Sequence, residues 1–94
     1  MFVITSKYLK TKDMVDQFLS EHREFLDVYY KKGIFIASGR NVTGDGGVIL
    51  ANNSTKEEIE KILKEDPFSR ERISIYEVIE FSPNRVAEGL EKLK

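Results

Sequence analysis

Apolar residues recur with two different spacings along this chain, and the switches between them mark out its elements. Residues 2–8 (FVITSKY) are short, β-branched and aromatic, and predict a first strand. After a polar turn at residues 9–12, Val15, Phe18, Leu19, His22, Phe25, Leu26 and Tyr29 follow at steps of three and four. That spacing is one face of a helix over residues 12–32. Thr11 or Asp13 can cap its start by accepting an orphan backbone N–H. Asp13 and Asp16 near the start, with Lys31 and Lys32 at the end, suit the helix dipole. Gly33 can take the left-handed conformation that stops a helix.

Residues 34–38 (IFIAS) are apolar on both faces and predict a central strand over 34–39. A glycine-rich connection, residues 39–47, leads to a third strand within 47–52, and the two strands read as a hairpin. Ser54 with Glu57 has the spacing of a capping box for a second helix, whose buried side is Ile59, Ile62 and Leu63. Asp66 before Pro67 ends that helix, because a residue preceding proline avoids helical geometry. Residues 72–81 alternate cleanly as a fourth strand, with Ile73, Ile75, Ile79 and Phe81 on one face and Tyr76 and Val78 on the other. Ser82-Pro83 then predicts a short C-terminal helix with Val86, Leu90 and Leu93 as its stripe.

The order β-α-β-β-α-β over residues 1–94 predicts a single α+β domain. Its plan is ferredoxin-like: an antiparallel sheet with both helices on one face. An open antiparallel face normally alternates apolar with polar residues. Here strands two and three are apolar on both sides, and Tyr76 and Val78 lie on the second face of strand four. The pattern therefore predicts a homodimer in which a second copy covers that face.

Charge and composition narrow the function classes. Fifteen lysines and arginines against 16 acids give a net charge of -1, which carries no electrostatic footprint for nucleic acid or an anionic membrane. The lack of cysteine excludes disulfides and thiol catalysis. The N-terminus has no signal-peptide plan and no apolar run reaches membrane-spanning length, so the expectation is a cytoplasmic protein. One histidine, no cysteine and no clustered carboxylates predict no metal site, and no cofactor is implied.

His22 is the leading candidate for chemistry. Histidine is the side-chain type best suited to proton transfer under physiological conditions, and this one lies on an apolar helical stripe. An inward imidazole needs hydrogen-bond partners, and Ser6, Ser38 and Asp66 are the polar residues placed to supply them. Asp66 could orient the ring as acids do in catalytic pairs. Ser6, Ser38, Gly39 and Arg40 are the candidate ligand-binding residues, since a buried strand ends at Ser38-Gly39. The structural alternatives are a core histidine with one satisfied bond, and an Asp66 that serves its own turn.

The segments HREFLDVYYKKGIFIASGR, GGVILA and EDPFSRERISIYEVIEF resemble, in order and spacing, the YCII-related proteins. The resemblance runs from the first strand to Phe81 and implies ferredoxin-like chains that pair as a dimeric α+β barrel. It also implies a histidine on the first helix as an active residue, matched here by His22. Some relatives are linked to muconolactone-type ring chemistry, including dehalogenation. Asp66, Pro67 and Phe68 match the family's Asp-Pro-Phe. The aspartate that the family pairs with its histidine aligns near Gly33, where this chain has no acid, and Arg40 stands where a proline is common. Two functions stay open: an enzyme using His22 as general acid or base on a small lactone or carbonyl compound, and a non-catalytic ligand-binding or structural dimer module.

Overall fold

The computed structural model describes residues 1–94. The elements are β1 (Phe2–Tyr8), α1 (Lys12–Gln17), α2 (Leu19–Lys31), β2 (Phe35–Arg40), β3 (Gly47–Ala51), α3 (Lys56–Leu63), α4 (Pro67–Arg70) and β4 (Ser74–Glu80). The four strands form one sheet in the order β2-β3-β1-β4 with every pair antiparallel, which is the ferredoxin-like arrangement. No helix is long and apolar enough to cross a membrane.

The main core lies between the sheet and helices α2 and α3. Phe2, Ile4, Ile49 and Ala51 from the central strands meet Phe25 and Tyr29 of α2 and Ile59, Ile62 and Leu63 of α3. A smaller cluster of Val15, Phe68 and Ile73 closes the other end of the sheet. Gly33 ends α2 as expected, with φ +75. Its N–H donates to the Tyr30 carbonyl and that of Ile34 to the Tyr29 carbonyl, the two bonds of a Schellman stop.

Several elements differ from the sequence reading. The first helix is not continuous: Phe18, at φ -105 and ψ 6, leaves helical geometry and becomes the cap of α2. Thr55, not Ser54, caps α3 by accepting the Glu58 N–H, while the Ser54 hydroxyl donates to the Glu58 carboxylate. Asp66 does more than end α3. Its side chain accepts the Phe68 N–H and so caps the single turn of α4, with Pro67 at the first helical position. The predicted C-terminal helix is absent except for a short 3-10 turn at Glu91–Leu93. None of its stripe is fully buried, with Leu90 exposed and Val86 and Leu93 only half-buried, and so short a helix is marginal in water without strong tertiary contacts.

Two corrections concern the sheet. β2 is an edge strand, and only Phe35 of it is buried. An apolar run does not distinguish a central strand from an edge. β4 also turns the opposite way to the expectation. Tyr76 and Val78 pair with Ser6 and Ile4 on the helix side of the sheet. Ile75 and Ile79 face the open side and are 54% and 57% exposed. On that side they join Val3 and Leu50 through the strand register.

The glycine-rich loop is built onto β1 rather than free. A Cβ on Gly46 would lie 1.8 Å from the Ser6 carbonyl oxygen, so only glycine allows the approach. Asp45 accepts the Tyr8 N–H at 2.8 Å, and the Ser6 hydroxyl accepts the Gly47 N–H at 2.9 Å. These bonds bring the ends of β1, β2 and β3 together beside α2.

Candidate functional site

His22 sits on the second turn of α2, where the helix passes over the seam between the two hydrophobic clusters. Its ring stacks on Phe68 of the smaller cluster, with centroids 4.1 Å apart and planes 4° from parallel. Phe25 of the main core flanks it at 6.3 Å. The flat packing holds the imidazole in one orientation, and 16% of the side chain remains accessible.

Asp66 is held beneath it with no exposure at all. His22 Nδ1 lies 2.8 Å from Asp66 Oδ1. The same oxygen accepts the Phe68 N–H at 3.0 Å, and Oδ2 accepts the Tyr76 hydroxyl. A carboxylate is an acceptor only, so a site with three donors and no competing acceptor complements its ionised form. Burying a charge is costly unless it is paired and hydrogen-bonded, and here both requirements are met. Tyr76 pays into the same network: burial, followed by the charge and hydrogen bond of Asp66, pushes its hydroxyl pKa well above the usual tyrosine range.

With Asp66 accepting from Nδ1–H, the neutral imidazole carries its lone pair on Nε2, which has no protein partner. His22 and Tyr76 form part of the wall of a cleft of about 570 Å³ between α2, the ends of β2 and β3, and β1. Ser6, Ser38, Gly39 and Arg40 line the same cleft. Their hydrogen-bonding capacity differs. The Ser6 hydroxyl is committed to Gly47, and Ser38 Oγ is 2.6 Å from the Tyr30 hydroxyl. The Arg40 guanidinium lies over the Tyr8 ring at 6.0 Å and makes no hydrogen bond to the protein. Arg23 also lines the cleft, so two guanidinium groups border it, with Asp16 the acid among the lining residues.

The structure thus places all six sequence-derived candidates at one location: five on the cleft wall and Asp66 behind His22. The sequence reading missed Tyr76, because it placed that residue on the far face of the sheet. The spacing Ser74-Ile75-Tyr76 held a usable signal. Tyr76 is an alternate residue from Ser74, and both face inward. Arg23, Tyr8 and Phe68 were also missed as cleft residues, since helical position alone does not reveal the shape of a cavity.

The comparisons with known proteins agree with this fold. The model of the YCII-related domain matches residues 1–82. No curated protein matches the chain. Among solved structures, the chain is similar to 5-chloro-2-hydroxyhydroquinone dehydrochlorinase from Burkholderia phenoliruptrix, determined in complex with 2,5-dihydroxybenzoquinone. The TM-score is 0.72 at 12% sequence identity, and the alignment covers 87% of this chain and 94% of that one. At that identity the likeness speaks for the fold, while the family match spans most of the sequence. The chain belongs to the YCII-related family.

Proposed function

We propose that this protein is a small enzyme in which His22 acts as general acid or base on a small carbonyl compound, with Asp66 as its positioning partner. The observation that carries this reading is the buried Asp66 carboxylate bonded to His22 Nδ1 beside an open cleft. Asp66 fixes the tautomer and stabilises the imidazolium that forms when Nε2 takes a proton. Tyr76 and the Phe68 N–H hold the carboxylate in place. Ser38, Gly39 and Arg40 border the bound substrate, Arg40 being suited to an enolate or carboxylate oxygen. The family's usual aspartate position is vacant near Gly33, and Asp66 takes the corresponding role here. No cofactor enters the scheme.

The solved neighbour's ligand, 2,5-dihydroxybenzoquinone, is a compact carbonyl compound of this class and serves as the probe. Titration calorimetry is expected to give saturable binding that weakens at least about tenfold in His22→Ala, the equivalent of one lost hydrogen bond to a charged group. Full-strength binding to His22→Ala, or to His22→Phe, would leave the histidine as core packing. The second reading, a binding module without turnover, is favoured by the stack of His22 on Phe68. A pH-rate profile separates the two: an enzyme loses its histidine limb in His22→Ala, and a module has no rate to lose.

The protein is further proposed to act as a homodimer through the open face of the sheet. Ile75, Ile79 and Phe81 are exposed there, and Val3 and Leu50 lie between strands on the same side. Glu77, Thr5 and Lys7 interrupt these residues on the same face, and exposed large apolar side chains grouped on one sheet face are a usual mark of an interface. Light scattering is expected to give twice the chain mass, and Ile79→Lys the mass of one chain. A monomer at micromolar concentration for the natural sequence would overturn the dimer.

A further inference from the structure

A second cleft of about 640 Å³ lies on the other side of Tyr76, between α3 and β4. Lys56, Glu60 and Lys64, the C-cap residue, are spaced by four and Leu63 follows Glu60 by three, so they share one face of α3 and form one wall. Ser74, Tyr76 and Val78 of β4 form the other, and Arg72 stands at the rim.

Three features of this cleft point the same way. Its charge opposes that of the chain: Lys56, Lys64 and Arg72 face a single carboxylate, Glu60, in a protein of net charge -1. None of these cations is in an ion pair, because the ion pairs of the molecule are Lys12–Asp16, His22–Asp66 and Arg70–Glu21. The Ser74 hydroxyl is buried, in a residue only 4% exposed, and has no hydrogen-bond partner. Buried side-chain hydroxyls are nearly always bonded, so an unmatched one at a cleft wall marks an interaction that the chain by itself does not complete. Rotation about χ1 swings a serine hydroxyl between its staggered positions without disturbing the strand. Leu63 and Val78 supply an apolar surface behind it.

We propose that this cleft binds a small organic anion, an apolar body carrying one carboxylate. The carboxylate accepts from the Ser74 hydroxyl and from Lys64 and Arg72, while the body packs on Leu63 and Val78. An inorganic anion would leave the apolar wall unused. A neutral apolar molecule would leave the cations and the hydroxyl unused. The site is distinct from the His22 cleft, and Tyr76 lines both.

The test is a two-dimensional amide NMR titration of the full chain with sodium benzoate, with inorganic phosphate and cyclohexanol as comparison probes. The expected result is saturable shifts at Lys64, Ser74 and Tyr76, with dissociation constants raised at least about tenfold in Lys64→Glu and in Ser74→Ala. His22→Ala is expected to leave benzoate affinity unchanged. Shifts centred on His22 and Arg40, and lost in His22→Ala, would assign the anion to the first cleft and overturn the proposal. So would phosphate or cyclohexanol binding as tightly as benzoate, or Ser74→Ala and Lys64→Glu binding benzoate with unaltered affinity. A change of molecular mass in Lys64→Glu, with benzoate affinity retained, would mark the cleft as an interface between copies instead.

Discussion

Glu65 and Asp66 are neighbours in the chain, and each accepts a tyrosine hydroxyl, yet they stand in different physical worlds. Tyr29 donates to Glu65 at 2.6 Å at the edge of the main core, where the carboxylate is exposed. Tyr76 donates to an Asp66 that is wholly buried and also bonded to His22 and to the Phe68 N–H. Water can replace a partner lost from Glu65. Nothing can replace one lost from Asp66 without rearrangement. The comparison teaches that a carboxylate becomes a fixed structural element through the number of donors converging on it and the exclusion of water. A single good hydrogen bond does not suffice.

The largest effect expected of this contrast is on stability. Asp66→Ala removes the capping oxygen of α4 and strands the Tyr76 hydroxyl and His22 Nδ1, which should cost about 3–5 kcal/mol, as for breaking other buried pairs. Against a usual total of about 5–15 kcal/mol, that shifts the urea midpoint strongly or prevents folding. Glu65→Ala should cost about 1 kcal/mol or less, because the Tyr29 hydroxyl can turn to water. Equal midpoints for the two variants would break the comparison.

Removing the donors instead should give a smaller difference of the same sign. Tyr76→Phe leaves one oxygen of a buried carboxylate unpaired, at a cost of about 1–3 kcal/mol. Tyr29→Phe loses a bond to an exposed acid, worth about 0.5–1.5 kcal/mol. Tyr76→Phe should also move the His22 ring resonances in proton NMR at fixed pH, since it changes what holds Asp66, whereas Tyr29→Phe should leave them in place. Unchanged His22 ring resonances in Tyr76→Phe would separate Tyr76 from the site.

The smallest effect is confined to alkaline pH. Burial first, and then the hydrogen bond and charge of Glu65, push the Tyr29 hydroxyl up to about 12 from an ordinary value of 10.0. The folded state therefore holds this proton more tightly than the unfolded chain. The associated stability is fully present below the unfolded value and is lost as pH rises through the folded one. Urea midpoints should fall over that window, and Tyr29→Phe should flatten the fall. Glu65→Gln should narrow the window from above, because it removes the charge and leaves the burial and the unfolded value unchanged.

Much of the candidate site was legible before the fold. The six apolar residues that share its helical stripe put His22 on the inner face, because side chains three and four residues apart lie above one another. The shortage of polar residues near that face singled out Ser6, Ser38 and Asp66. What stayed hidden was how those groups are used. Ser6 spends its hydroxyl on Gly47 and Ser38 faces Tyr30, and neither bond has a sequence signature. The break at Phe18 was also invisible, since the apolar spacing continues through it without interruption.

The sequence by itself determined the β-α-β-β-α-β order, the buried faces of the two helical segments that cover the sheet, the Gly33 stop and the position of the strands to within a residue or two. These are local properties, set by side-chain periodicity and by the backbone freedom of single residues. Only the tertiary structure decided that β2 lies at the edge, that Tyr76 faces the helices, and that His22 meets an acid 44 residues away. An alternating strand has two faces, and its own pattern does not say which one the helices cover when both are apolar. That choice is made by the crossover connections that set β1 between β3 and β4, and it is the choice that turned Tyr76 toward Asp66.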